Sequence, residues 1–283
     1  MPIQVLEESP ISIKLLVKGY PLAVLNAIRR ATLELCPKMA VDFVVIERND
    51  STLFNEVLAH RLAMVPLTSE EALEYYAPPE ACAECDCKKV EAGECNYEGK
   101  PCYVTLHLDA SADGKYKLVY TKDLITSDEK VKPVYDNIPL VPLIGNQKVK
   151  LTAYARLGRG REHAKWMPAT VAVVKPILKD ISVKETLCDE ECQKECAEKC
   201  KEAFTIKDGK LTIKDNVTLS MVMYCIEYVC EGKGIRPVFE EDTYIFELET
   251  DGSLSARRTL KESARAIVQK LEALKRKLEE KAG

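Results

Sequence analysis

YPLAVLNAIRRATLELCPKMAVDFVVIERNDSTLFNEVLAHRLAMVPL, residues 20–67, carries the pattern from which the fold is read. Pro21 suits the first turn of a helix, where its missing N–H leaves no bond unmade. Leu22, Leu25 and Ile28 fall on one stripe, and Val24, Ala27, Ala31 and Leu35 on an adjoining one, which gives a wide apolar face. Pro37 stops the helix near Leu35. Residues 41–47, rich in β-branched side chains, predict a strand. Leu58, Leu62 and Val65 then mark a short helix ended by Pro66. On periodicity alone so apolar a helix packs inside its own domain, and Arg29 and Arg30 are its solvated edge.

Outward from this stretch, 283 residues are enough for two or three domains with real cores. With 46% hydrophobic and 30% charged residues the composition is that of a globular protein, not a disordered one. No apolar run approaches the roughly 18 residues of a membrane span. MPIQVLEESP has neither the basic region nor the apolar core of a signal peptide, so a cytoplasmic location is expected. A net charge of −4 argues against nucleic-acid binding over the whole surface. Twelve cysteines in such a protein point to metal or redox chemistry. Hyperthermophilic sources are the exception, since their intracellular proteins carry disulfides.

Residues 11–15 alternate as a half-buried strand. Residues 78–102 hold Cys82, Cys85, Cys87, Cys95 and Cys102 with little apolar content, a loop that needs a cross-link. Val104, Leu106 and Leu108 alternate outward with His107, a poor ligand for that reason, and Asp113-Gly114 signals a hairpin-type turn. Residues 133–142 read as a proline-rich connector, and Val149, Leu151, Ala153 and Ala155 as a further strand. In RLGRGREHAKW, residues 156–166, Trp166 beside Arg161 and Lys165 fits a protein-interface anchor first, a solvated basic loop second and a nucleic-acid loop third. Residues 170–187 are strand-like; Cys188, Cys192, Cys196 and Cys200 follow at intervals of four. Asp208-Gly209 signals a hairpin between 204–207 and 210–213, and a helix over 219–229 carries Cys225 and precedes Cys230. Thr259 and Glu262 form a capping box, after which Leu260, Ala264, Ile267, Leu271, Leu274 and Leu278 recur at the 3–4 spacing of a coiled-coil seam.

NAIRR (26–30), AHRLAMVPL (59–67), REHAKW (161–166) and FELETDGSLS (246–255), in that order, resemble the α-like subunits of cellular RNA polymerases. The resemblance is to the archaeal D type, similar in turn to the third subunit of eukaryotic RNA polymerase II and to the bacterial α N-terminal domain. It covers about the whole chain, with the cysteine regions least well matched. It implies an α+β fold: a discontinuous dimerisation domain, 1–48 and 236–283; an inserted mainly β domain, 49–181, with the cysteine loop 82–102; and a ferredoxin-like insert, 182–235. It further implies a dimer interface of Leu22, Leu25, Ile28, Leu260, Ile267, Leu271, Leu274 and Leu278, and large-subunit contacts at Arg29, Arg30, His60, Arg61, His163, Lys165 and Trp166. The implied partners are the smaller α-like subunit L, the second-largest catalytic subunit and the small subunits N and P, with no sequence-specific nucleic-acid contact and no membrane. The implied function is that of an assembly scaffold, the catalytic aspartates belonging to the largest subunit. In keeping with that, the sequence offers no phosphate-binding glycine loop with lysine, no histidine pair at i, i+4 and no aspartate run for Mg²⁺.

The related eukaryotic subunit holds zinc just before the strand that begins here at Tyr103. Cys82, Cys85, Cys95 and Cys102 make one tetrad, with Cys87 competing for a place and disulfides as the other use of the same thiols. In the ferredoxin-like insert every cysteine gap is three residues, whereas a bacterial-type cluster site needs Cys-x2-Cys-x2-Cys-x3-Cys, so an iron–sulfur cluster is not expected. By analogy with two-cluster ferredoxins, Cys200 approaches Cys225, and Cys230 approaches Cys196 or Cys192, as disulfides. The competing cluster set is Cys188, Cys192, Cys196 and Cys230. Two other functions remain open at this level: a ferredoxin-like redox protein and a zinc-dependent nucleic-acid module.

Overall fold

The first helix runs Leu22–Glu34, and the chain turns at Leu35 and Cys36 straight into a strand that starts at Pro37. The structure is a computed structural model. It describes all residues except Met1, Glu84, Asp86, Asp215, Asn216 and Gly283, and the side chains of Cys87 and Ala282 also lie outside the described part. The strand reaches from Pro37 to Asn49, longer at both ends than its β-branched centre; Met39 and Val41 are buried in the core beneath the sheet, and Ala40 between them is buried as well. It pairs antiparallel with Lys148–Arg159, which pairs in turn with Tyr103–Ser111, and a short strand Ile125–Thr126 completes the sheet. Val149, Leu151, Ala153 and Ala155 all point into the core from the central strand. Leu58 and Leu62 of the helix Asn55–Ala63 cover the same core. His107 lies outside, its Nδ1 3.1 Å from Thr152 Oγ1.

The turn at Asp113-Gly114 forms, with both residues at positive φ (48° and 81°), but it does not make the expected hairpin. The strand Lys115–Tyr120 leaves the Tyr103–Ser111 ladder and pairs with Pro139–Gly145. The proline-rich run is therefore half of a two-stranded ladder, where prolines are tolerated because an edge leaves some N–H positions without a partner. Asp208-Gly209 does what its sequence signals: Phe204–Lys207 and Lys210–Ile213 pair across it. A strand Ile3–Glu8, absent from the sequence reading, is exposed along its whole length. It opens a second sheet, of order Ile3–Glu8, Ser12–Lys18, Ile235–Thr250, Ala169–Val183.

The mixture of helices and sheets is α+β. Proximity along the backbone divides the chain into two compact units, one of residues 1–4, 15–24 and 174–246, the other of residues 5–14, 25–173 and 247–283. This differs from the three-part division expected at 48/49, 181/182 and 235/236. The strands Ala169–Val183 and Ile235–Thr250 run through those last two boundaries, and Lys184 N–H donates to Gly234 O (2.9 Å) beyond them. The cysteine-rich segment is thus a continuation of its flanking strands. Its core gathers Cys188, Cys196, Cys200, Phe204, Leu211 and Val222 among others.

The last helix begins at Ala256, a turn earlier than the capping box at Thr259 and Glu262 predicts. Ser255 is the cap: its hydroxyl accepts from the Arg258 N–H at 3.2 Å. Thr259 is instead fully buried inside the helix, and its hydroxyl has no hydrogen-bond partner among the described residues.

Candidate functional site

The last helix has two different sides. Thr259, Ser263 and Ala266 face inward, where Ala266 packs on Ala31 of the first helix and on Leu35 just after it, with Ile267 alongside. The seam side is open. Leu260 and Ile267 are half-buried, but Leu271, Leu274 and Leu278 are 61%, 54% and 60% exposed. On the first helix, Leu22 is 50% exposed and Ile28 half-buried, whereas Leu25 is only 4% exposed. Leu25 is therefore buried within the chain itself, unlike Leu22 and Ile28, the other expected interface residues of this helix.

Arg29 and Arg30 lie along that helix, held by local partners: Arg29 Nε donates to Asn26 Oδ1 (2.9 Å), and Arg30 pairs with Glu34 at 3.2 Å. Arg61 Nη1 donates to the Leu140 carbonyl at 2.9 Å, and His60 is exposed on the same short helix. Around them Phe54, Val57 and Met64 are exposed apolar residues, Phe54 by 78%. The sequence reading missed this patch. Its signal is that Val57 lies off the Leu58–Leu62 stripe while Phe54 and Met64 flank the helix at its two ends.

Trp166 is the main departure from expectation. It is 3% exposed, so its ring is an internal brace and not a surface anchor. The ring lies against Gly158, where any Cβ would overlap its Cδ2 and Cε2 atoms. Its Nε1 donates to the Arg156 carbonyl at 3.2 Å. The Arg156 guanidinium and the Lys165 ammonium approach the ring to 4.3 and 4.2 Å, in cation–π range. Both cations also meet Asp42, at 2.8 and 3.3 Å, and Tyr103 donates its hydroxyl to the same carboxylate at 3.1 Å. Lys165 is thereby drawn inward with the ring. Of the expected contact residues in this loop only His163 is exposed; its Nδ1 accepts from the Lys165 N–H at 3.0 Å and caps the short turn.

Burial works against the Asp42 carboxylate, but the hydrogen bond and charge of Arg156, with Lys165, outweigh it and hold its pKa below the usual value. A carboxylate depressed in the folded state contributes stability above its unfolded pKa, and that stability is lost as pH falls through the folded pKa. An Asp42→Asn variant is therefore expected to be less stable than the parent at neutral pH. It should show a shallower loss below about pH 4, the region of the unfolded carboxylate pKa. Urea unfolding as a function of pH reads both; equal slopes in acid for the two proteins would show that Asp42 does not carry the effect.

The cysteines fall into five close pairs: Cys82 with Cys102, Cys85 with Cys95, Cys188 with Cys192, Cys196 with Cys230, and Cys200 with Cys225. Their Cα separations run from 5.2 to 6.1 Å, within disulfide range. Cys192 thus stands with Cys188 and not with Cys230. Cys36 is a free cysteine, fully buried, with its thiol pushed up to about 12 by that burial, and so inert. Cys87 lies outside the described side chains. Among the described residues no group of three or more potential ligands is arranged as a metal site.

Residues 44–173 match the family model described as the RNA polymerase Rpb3/RpoA insert domain. Over 275 residues the chain is 32% identical to DNA-directed RNA polymerase subunit Rpo3 of Aeropyrum pernix, covering 95% of this chain and 92% of that one. The chain belongs to the archaeal Rpo3 family of DNA-directed RNA polymerase subunits. The Rpo3 subunit of Methanothermobacter thermautotrophicus is 37% identical over 92% of each chain, and that of Thermococcus kodakarensis 34% identical over 94% of this chain and 93% of its own. As an Rpo3-family α-like subunit the chain has an assembly role in transcription. The names of these Rpo3 relatives give no support to the ferredoxin-type redox function or the zinc-dependent nucleic-acid module. No helix among the described residues is long and apolar enough to cross a membrane.

Proposed function

We propose that the chain is the D-type α-like subunit, which pairs with the smaller α-like subunit L through the Leu260–Leu278 seam and the exposed side of the first helix. The second-largest catalytic subunit and the small subunits N and P then dock on that pair, in the cytoplasm. One observation carries the reading: Leu271, Leu274 and Leu278 stand more than half exposed on one stripe in the second half of a helix whose first half is anchored by buried Thr259, Ser263 and Ala266. Water-exposed leucines at heptad spacing are what a partner helix covers. Arg29, Arg30, His60, Arg61 and His163 remain available at or near the surface for the large subunits, while Trp166 and Lys165 act by holding their loop. Mixing with purified subunit L should give a 1:1 complex by light scattering; two separate species at micromolar concentration would refute the pairing.

The ten paired cysteines are read as five disulfides, three of them stapling a ferredoxin-like segment that needs no cluster. Each is worth about 2–4 kcal/mol in a typical case. The cluster set Cys188, Cys192, Cys196 and Cys230 is then consumed as Cys188–Cys192 and Cys196–Cys230. Cys82, Cys85, Cys95 and Cys102 belong to one small packed cluster with Ala77 and Tyr103. Four thiols are also the donor set that structural zinc takes, so zinc is the competing use of these cysteines and would need them reduced and drawn closer together. Peptide mapping of non-reduced protein is expected to join Cys200 to Cys225 and Cys82 to Cys102. Free thiols with one equivalent of zinc would assign the 82–102 loop to the metal, and stoichiometric iron and sulfide would overturn the disulfide reading of the insert.

A further inference from the structure

Away from the seam by roughly a third of a turn, Ala266, Gln269, Lys270 and Ala273 of the last helix line a groove of about 470 Å³. Pro79, Glu80 and Ala83 form its other side, with Leu35 between, and Arg159, Arg161 and Glu162 are at its edge. The groove is braced from behind. Arg159 Nε donates to Glu80 Oε1 at 2.7 Å, and its Nη1 donates to the Leu35 carbonyl. Gly160 sits so close to the first helix that a Cβ would overlap the Leu33 carbonyl oxygen. The Arg161 N–H donates to Glu34 O at 3.1 Å, and Glu162 accepts from Arg156 (3.2 Å) and from the Arg159 N–H (3.0 Å).

This bracing decides the charge that the groove presents. Glu80 is neutralised by Arg159 and Glu162 by Arg156. Arg161 and Lys270 are exposed, and neither forms a salt bridge within 4 Å among the described residues, although the Arg161 charge adds to that of Arg159 in holding the Glu80 carboxyl below its usual pKa. What remains is a preformed apolar trough of proline, alanine and leucine side chains with two cations at its rim.

We propose that this groove docks a segment of another polymerase subunit in which a carboxylate is flanked by apolar side chains. The proposal rests on the assembly role and goes beyond the pairing seam. Apolar residues of such a segment cover Pro79, Ala83, Ala266 and Ala273, and its carboxylate meets Arg161 and Lys270. Nucleic acid fits less well, because the phosphate backbone would leave that apolar lining uncovered. The rigid backbone under Arg161 gives the cation a fixed position, which limits the ordering cost of binding.

The test uses polymerase reconstituted from purified subunits. Arg161→Glu with Lys270→Glu is expected to weaken capture of a third subunit by the preformed heterodimer at least tenfold, with pairing and melting temperature unchanged. Arg161→Lys with Lys270→Arg should retain capture. Ala273→Trp, which fills the groove without changing charge, should weaken it as well. A photo-crosslinker at Gln269 should mark a peptide of another subunit with Asp or Glu between apolar residues. Unchanged capture by the charge-reversed and filled variants overturns the proposal, as does a crosslink to nucleic acid or to a peptide without a carboxylate. If no heterodimer forms with the parent chain, the assembly reading fails first; if it forms and only the groove variants are silent, the groove alone fails.

Discussion

Leu271→Asp combined with Leu274→Asp is expected to abolish pairing with subunit L while leaving the chain folded. Both leucines are more than half exposed (61% and 54%), so the unpaired chain loses almost no packing when they are changed. The cost there is mainly helix propensity, a few tenths of a kcal/mol for each Leu→Asp change. In the pair the same positions are covered. Each leucine then contributes about 1.5–3 kcal/mol by burial, and each aspartate adds a desolvation penalty of several kcal/mol. Together these exceed about 5 kcal/mol, more than a thousandfold in Kd. Light scattering of the mixture should show two species, and circular dichroism of the variant alone should match the parent. Retained 1:1 pairing would remove the seam from the interface. Leu25→Asp is not an equivalent test: at 4% exposure its carboxylate would be buried in the chain's own core, and the chain would unfold before pairing could be read.

How far the sequence leads depends on whether a local signal has a local consequence. Pro21 and Pro37 delimit the first helix because proline acts on its own backbone, and the observed helix Leu22–Glu34 obeys them. The two Asp-Gly turns share one local conformation, with both residues at positive φ. Only at Asp208-Gly209 do the flanking strands pair with each other; at Asp113-Gly114 the next strand finds Pro139–Gly145, a choice made by the core and invisible to the dipeptide. The capping signal at Thr259 misleads for a similar reason. Ser255 lies one turn earlier and caps the helix without a Glu three residues on, while Thr259 is fully buried inside the helix. The α-like motifs identify the family, yet a motif does not say which way its side chains face. In REHAKW the conspicuous tryptophan turns inward and the histidine outward. Gly158, eight residues earlier, is what makes room for the ring, and that relation appears only when the strand Lys148–Arg159 and the turn at Trp166 are placed together.

Trp166→Ala is expected to produce the largest loss of stability of any single change in the loop, about 3–5 kcal/mol for the cavity and lost burial. At roughly 2–4 °C per kcal/mol for a unit of this size, the melting temperature of the unit holding it should fall by about 10 °C. The loss is more than area. Without the ring, Arg156 and Lys165 lose their cation–π partner, the Arg156 carbonyl loses the indole donor, and three groups on Asp42 must re-form in a wetter site. Gly158→Ala attacks the same contact from the other side, since its methyl has no space beside the ring; overpacking of this kind costs about 1–3 kcal/mol. The two changes are therefore expected to be non-additive. In a Trp166→Ala background the Gly158→Ala change should cost little, because the clash it creates has been removed, so the double-mutant cycle should close with a coupling above about 1 kcal/mol. Arg161→Ala and His163→Ala, at exposed positions of the same loop, should leave the melting temperature within a degree or two. An additive cycle, or a Trp166→Ala protein as stable as the parent, would mean that the ring does not brace the loop and that its burial is incidental.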